Sequence, residues 1–291
     1  MEARNFFLND GGRLRSGWRL AVFAIAFLIF AKIGFAFKQA APETLNGTWG
    51  FVIGAGILFA SATLVGWGCG AVFEELPFRA IGWSFHRGWF RNVAIGSALG
   101  ALSLLLAAAC AIATRGLSFS RDSLEAASIE KTLLVSAIIF VFAASAEEVL
   151  FRGYPLQTLT RANLAWLGVL LTSVPFAVVH LNNPNVSRGF TFVNTALAGV
   201  WLAIAYLRTR SLWFPLGLHW SWNWAQASLL GLPVSGIDRL APAPLLHAMN
   251  AGPDWLTGGA YGIEGGAACT IALLISTLVV WRTKLIVRAV L

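Results

Sequence analysis

The apolar residues of this chain gather into eight long runs, each bounded by charged residues, Pro or Gly. They cover about Trp18–Phe37, Phe51–Phe73, Asn92–Ala113, Thr132–Gln157, Leu164–Leu181, Phe192–Leu207, Phe214–Leu230 and Gly262–Trp281. A helix needs roughly 20 mostly apolar residues to cross a bilayer. The pattern therefore predicts an all-α membrane protein, a polytopic bundle of about eight transmembrane helices. The first run follows Arg13, Arg15 and Arg19, as a signal peptide would. However, Phe37-Lys38-Gln39-Ala40 makes a poor small-residue cleavage site, so the run is expected to stay as a helix. The polar interruptions near 74–91 and 231–261 read as loops. Three regions are expected: an N-terminal three-helix part over 1–130, a core over 131–230, and an outer loop with the last helix over 231–291.

Composition agrees: 57% of the 291 residues are hydrophobic and only 12% charged, whereas soluble domains carry about 25% charged residues. The net charge of +8 raises the question of nucleic acid, and its distribution answers it. With the N-terminus inside and eight crossings, 14 of the 21 basic residues fall on the inner side, among them Arg79, Arg87, Arg91, Arg161, Arg208, Arg210 and Arg282, and six on the outer side. This bias predicts both termini in the cytoplasm. Charge spread over five loops and tails gives no nucleic-acid face. Short loops and this charge pattern fit a bacterial inner membrane, and nothing specifies an oligomeric state. Cys69, Cys110 and Cys269 lie in apolar runs and read as small buried hydrophobes. Gly50-x-x-x-Gly54 and Gly96-x-x-x-Gly100 suit close internal helix packing. Trp213, Trp220, Trp222 and Trp224 read first as interfacial anchors, with lining a substrate cavity as the alternative.

Charged side chains inside a bilayer cost about 2.5 to 3.5 kcal/mol each on insertion scales, so those that persist are functional candidates. The fourth run holds Glu147, Glu148 and Arg152. Glu148 and Arg152, four apart, share a helix face and can pair, while Glu147 is turned about 100° away and must find another partner. His180 ends the fifth run one turn beyond Phe176, and His219 and Asn223 share a face of the seventh. If the fourth and fifth runs form a hairpin turning near Arg161 to Asn163, Glu147 and His180 differ in height by about 5 Å. A hairpin protruding about 11 Å below the membrane brings His219 to the same site, in the cytoplasmic half.

The ordered set Glu147-Glu148-x-x-x-Arg152 with Gly153, then Phe176-x-x-x-His180, then His219-x-x-x-Asn223 resembles the three motifs of the CPBP intramembrane proteases, the CAAX-protease and bacteriocin-processing (Abi-type) family. The resemblance covers about residues 131–230. It implies an eight-helix bundle and an intramembrane endopeptidase. It also implies that Glu147 and His180 activate water, that His219 and Asn223 stabilise the oxyanion, and that Glu148, Arg152 and Phe176 support the site.

Hydrolysis of a peptide bond needs a base for water and a donor aimed at the oxyanion, and a site shielded from water strengthens both. A glutamate with two histidines also suits zinc, which the residues alone leave open. The resemblance implies a metal-free, cofactor-free glutamate mechanism. The expected partners are the lipid bilayer and a membrane-associated protein or peptide, prenylated or not. A non-catalytic immunity or binding protein, and a proton-coupled transporter with a Glu/His relay, are the rival readings. Glu74-Glu75-Leu76-Pro77-Phe78-Arg79 repeats the Glu-Glu-x-x-x-Arg spacing, but Pro77 interrupts the helix and no histidine motifs follow in order. It reads as a solvated cytoplasmic segment, and His86 and His247 as loop residues. The orientation is testable: a cysteine introduced at Gly236 or Asp254 is expected to label from outside the cell, and labelling solely from the cytoplasm reverses the topology.

Overall fold

The fold is that of a computed structural model, which describes residues 6–40, 47–121 and 124–289. In chain order the elements are α1 (Ser16–Gln39), α2 (Thr48–Glu74), a 3-10 turn (Phe78–Ile81), α3 (Trp89–Ala113), β1 (Leu117–Ser120), α4 (Ala126–Arg152), α5 (Tyr154–Arg161), α6 (Ala165–His180), α7 (Arg188–Thr209) and α8 (Trp213–Trp224). A π-helical turn (Ala225–Leu229) prolongs α8, and β2 (His247–Asn250), a single helical turn (Asp254–Thr257) and α9 (Ala267–Arg282) complete the chain.

Each apolar run is helical, but the runs differ in length. Among the described residues, five units are long and apolar enough to cross a membrane: α1, α2, α3, the α4–α5 unit and α7. The apolar α6 and α9 have 16 residues each, and α8 has 12 before its π-helical turn. The eighth run begins later than its hydropathy suggests, because Gly262 to Gly266 form tight turns before α9. Gly153, with ψ −132°, breaks the fourth run, and Pro155 in the first turn of α5 starts the new helix with its φ already suited. Among the described residues the bundle also carries one antiparallel strand pair, Leu117 opposite Asn250 through Ser120 opposite His247, so His247 lies in a strand rather than a loop.

Two opposite faces can be traced through contacts between connections. On one, Asn92 at the start of α3 exchanges hydrogen bonds with the Val287 backbone, Gln157 Nε2 donates to the Ile81 carbonyl at 2.8 Å, and Trp213 donates to the Ser84 carbonyl. This face holds the arginine-rich segments. On the other, the β1–β2 pair and a bond from Asn185 to the Gly236 carbonyl join the remaining connections. Between the faces, α3 and α8 meet backbone to backbone. A Cβ on Gly96, Gly100 or Gly217 would overlap the carbonyl of Phe214, Leu218 or Val93. The Gly96-x-x-x-Gly100 expectation is met, whereas Gly54 has only ordinary contacts with Phe35. The outward side chains of α1, with Ile25 61% and Leu28 64% exposed, leave an apolar surface that suits lipid and not water. Cys69 and Cys269 are buried and Cys110 half-buried, all as free thiols.

Two expectations are corrected. The indole N–H groups of Trp220 and Trp224 donate to the Ala137 and Leu133 carbonyls, so these rings bolt α8 onto α4, while Trp222 is buried and lines a cavity, the alternative reading. Glu74 is not solvated: α2 continues to it, and Pro77 falls after the helix has ended at Glu75 in the left-handed region. Its carboxylate is 2.8 Å from Arg19 on α1 and receives two bonds from Arg161 on α5, at 2.8 and 3.0 Å. Glu75 alone is exposed, 3.3 Å from Arg13. Removing one partner of a buried pair leaves a charge uncompensated, at about 3 to 5 kcal/mol. Glu74→Ala is therefore expected to lower the thermal midpoint in detergent markedly and Glu75→Ala scarcely at all. Equal midpoints would remove the structural role assigned to Glu74.

Candidate active site

The fourth run supplies adjacent carboxylates that face different ways, as a 100° turn per residue demands. Glu148 points into the bundle and is fully buried, while Glu147 faces a cavity of about 300 Å³. Arg152, also fully buried, is 3.2 Å from Glu148 and donates a second bond to the Gly199 carbonyl on α7. Its guanidinium lies 4.5 Å from the centre of the Phe176 ring, a cation–π contact. His219 on α8 completes the group with Nδ1 2.8 Å from the same Glu148 oxygen. An arginine, a carboxylate and an imidazole thus tie α4, α7 and α8 together, with Phe176 of α6 stacked against them.

Ring geometry assigns the histidine faces. His180 Nδ1 lies 2.7 Å from the Phe176 carbonyl, an acceptor, so this nitrogen carries the proton. In His219 the partner of Nδ1 is a carboxylate, and the same holds. Both rings therefore turn Nε2 toward Glu147, whose Oε2 is 3.6 Å from His219 and 4.0 Å from His180. These gaps exceed a direct hydrogen bond and suit a bridging water. Asn223, one turn beyond His219, lines the same cavity next to the π-helical turn, a distortion found frequently at functional sites. Among the described residues no three His, Cys, Asp or Glu groups stand close enough together to hold a metal ion.

All seven residues picked out by sequence meet here. The cavity is lined by Phe51 in the first turns of α2, by His180 at the end of α6, by Asn183, and by Val234 and Ser235 of the long connection. Its imidazole and carboxylate groups lie between the two faces: His219 is six residues, about 9 Å of helix, beyond Trp213, which bonds Ser84 on the arginine-rich face, and the cavity extends from there toward the β1–β2 face.

Sequence reading also missed Glu264. It lines the cavity from the turn before α9, accepting from the Ser235 backbone N–H at 2.6 Å and from its hydroxyl at 3.1 Å. Burial pushes this carboxyl above its ordinary range, against the Ser235 bonds and the nearby His180. A lone carboxylate inside the apolar, glycine-rich stretch 258–266 was the available signal.

Neighbouring carboxylates should respond differently to substitution. Glu148→Gln is expected to lower stability in detergent by about 3 kcal/mol, because Arg152 loses its buried counter-charge. Glu147→Gln, at the cavity wall, should leave the thermal midpoint unchanged. Equal losses would show that Glu147 too is a structural group.

Comparison with known proteins agrees with the motifs. An uncharacterized 24.3 kDa protein of Escherichia coli is 29% identical over 151 residues, covering 50% of this chain and 66% of that protein, just under two thirds of its length. No solved structure matches the chain. Residues 129–225, which hold all three motifs, match the family model of the type II CAAX prenyl endopeptidases, Rce1-like, the family that those motifs resemble.

Proposed function

We propose that the protein is an intramembrane endopeptidase that hydrolyses a peptide bond of a membrane-associated protein or peptide by a glutamate-based mechanism, with the segment 131–230 as its catalytic core. The observation that carries this reading is the convergence of Glu147 Oε2 and two imidazole Nε2 atoms at 3.6 and 4.0 Å on the wall of one cavity. In this reading the chain crosses a bacterial inner membrane eight times, the short α6, α8 and α9 included, with both termini in the cytoplasm.

The proposed chemistry uses the chain's own residues and one water. A water between Glu147 and His180 gives a proton to Glu147 while its oxygen attacks the scissile carbonyl carbon. The oxyanion accepts from the Asn223 amide and, when the ring is doubly protonated, from His219 Nε2. As the C–N bond breaks, the proton held by Glu147 passes to the departing amine. Glu148 and Arg152 hold the His219 ring in the orientation that turns Nε2 to the cavity, a positioning role.

Glu147→Gln keeps shape and hydrogen bonding but removes the base. Turnover of a substrate identified by comparing wild-type and variant membrane peptidomes is expected to fall by roughly 10² to 10⁴-fold. A binding or immunity protein would keep its function in this variant, and a proton-coupled transporter would show flux in vesicles instead of cleavage products. Loss of wild-type turnover on adding a chelator, restored by zinc, would replace the glutamate mechanism by a metal-dependent one.

A further inference from the structure

The last carboxyl of the chain, Glu264, falls among Gly262, Gly265 and Gly266, which let its turn press against the connection after α8: a Cβ on Gly262 would overlap the Pro233 carbonyl. Asn194 of α7 fixes the Glu264 backbone by donating to its carbonyl at 2.8 Å. Among the described residues no arginine or lysine balances the side chain. The titratable groups around it are His180 on α6, Cys269 on α9 and Tyr261 in the preceding turn, and Glu147 and His219 line the same cavity from α4 and α8. A carboxyl buried without a counter-charge is driven to keep its proton.

The bonds around Glu264 agree with that state. Both Ser235 donors, the backbone N–H at 2.6 Å and the hydroxyl at 3.1 Å, go to one oxygen, Oε2. Beside the carboxyl lies Gln226, fully buried, whose Nε2 donates to the Pro233 carbonyl at 2.6 Å. A carbonyl only accepts, so this amide cannot be turned round, and its Oε1 is left with no donor among the described residues. Buried acceptors are seldom left so. A carboxylic acid resolves the conflict: its carbonyl oxygen takes the Ser235 bonds and its hydroxyl gives Gln226 Oε1 a donor, whereas a carboxylate would set acceptor against acceptor.

The three residues come from separate parts of the fold. Ser235 opens a two-residue turn, with φ +49° at Ser235 and +81° at Gly236, closed by bonds of 2.9 and 3.0 Å between Val234 and Ile237. Gln226 lies in the π-helical turn, three residues after Asn223. We infer that Glu264 acts as an uncharged acid latch that joins Ser235 to Gln226 and so positions Asn223 at the cavity, a role that rests on the hydrolytic reading above. Glu264 is thereby a positioning residue and touches no reacting atom.

Glu264→Gln separates this from a plain structural role, because its amide keeps an acceptor for Ser235 and a donor for Gln226 but cannot ionise. In the wild type, burial holds the carboxyl above its ordinary range. The fold then keeps a proton that the unfolded chain gives up, and stability falls as pH rises from the ordinary carboxylate range toward the raised value. Thermal midpoints in detergent, read from about pH 5 to about pH 8, are expected to coincide at the acid end and to part as pH rises, with Glu264→Gln the more stable by about 4 °C or more. The other groups titrate in both proteins, so the gap belongs to Glu264. A gap that stays constant with pH, or one that favours the wild type, overturns the protonated latch. The placement of Asn223 is read on a peptide whose cleavage depends on Glu147, found by comparing wild-type and Glu147→Gln membrane peptidomes. Over the same pH range the kcat of the wild type should fall relative to that of Glu264→Gln. Gln226→Leu, which removes the latch, should lower kcat roughly 10-fold or more with little change in KM, yet add no further loss to Asn223→Ala. Equal losses in both backgrounds show that the latch does not act through Asn223. Identical peptidomes overturn the hydrolytic reading and with it the role of Asn223, whereas the thermal comparison still decides whether Glu264 is a protonated latch.

Discussion

The Glu148 carboxylate is the group on which the half of the bundle around the cavity depends. Fully buried in an apolar interior, it persists only because Arg152 stands 3.2 Å away and His219 2.8 Å away, and Arg152 is anchored in turn on the Gly199 carbonyl. An unpaired charge at this depth costs several kcal/mol, so the pairing fixes how α4, α7 and α8 approach one another. One of its consequences bears on the chemistry proposed for the cavity. By occupying His219 Nδ1, Glu148 leaves Nε2 as the nitrogen that meets the cavity, and by using up Arg152 it leaves Glu147 next door without a counter-ion of full charge. The residues that stabilise the helix pair therefore leave one carboxylate free at the cavity wall.

That arrangement needs α8 to lie close to α3 and in register with α4. Close approach to α3 comes from glycine on both sides: Gly96 and Gly100 receive the Phe214 and Leu218 carbonyls, and Gly217 receives Val93. Register with α4 comes from Trp220 and Trp224, whose indoles reach carbonyls at Ala137 and Leu133, about one turn apart. Without lipid-excluding force between helices, such small-residue contacts and interhelical hydrogen bonds are what hold a membrane bundle together. His219 sits between them, placed by packing on one flank and by bonds on the other.

How much of this was legible in the sequence follows from the range of each signal. Local spacing carried the Glu148–Arg152 pair, the opposite turn of Glu147, and the shared face of His219 and Asn223, because a helix of 3.6 residues per turn fixes these directions without reference to the rest of the fold. Apolar run length carried the helices, although α8 could not be seen to stop at Trp224 and relax into a π-helical turn. What failed was whatever depended on a distant partner. Glu74 looked solvated because its neighbours in sequence are a proline and a loop, and its ligands, Arg19 and Arg161, lie 55 and 87 residues away. The tryptophans looked interfacial because their acceptors are backbone carbonyls of another helix. Glu264 went unnoticed for the same reason, since nothing near it in sequence announces His180 or Ser235.

The two Glu-Glu-x-x-x-Arg segments sharpen this point, because identical spacing led to opposite outcomes. In the first, the helix ends after Glu74, so Arg79 falls in a 3-10 turn and cannot pair along a helix face; the buried carboxylate is met instead from two other helices, and the resulting knot lies where the arginine-rich segments gather. In the second, the helix continues through Arg152 and breaks only at Gly153, so the pair closes within one helix and needs just one outside ligand, His219. A carboxylate saturated by two arginines has nothing left for chemistry. A carboxylate whose neighbour absorbs the arginine stays available at the cavity wall, and the distinction between them is set by where the helix ends, not by the motif.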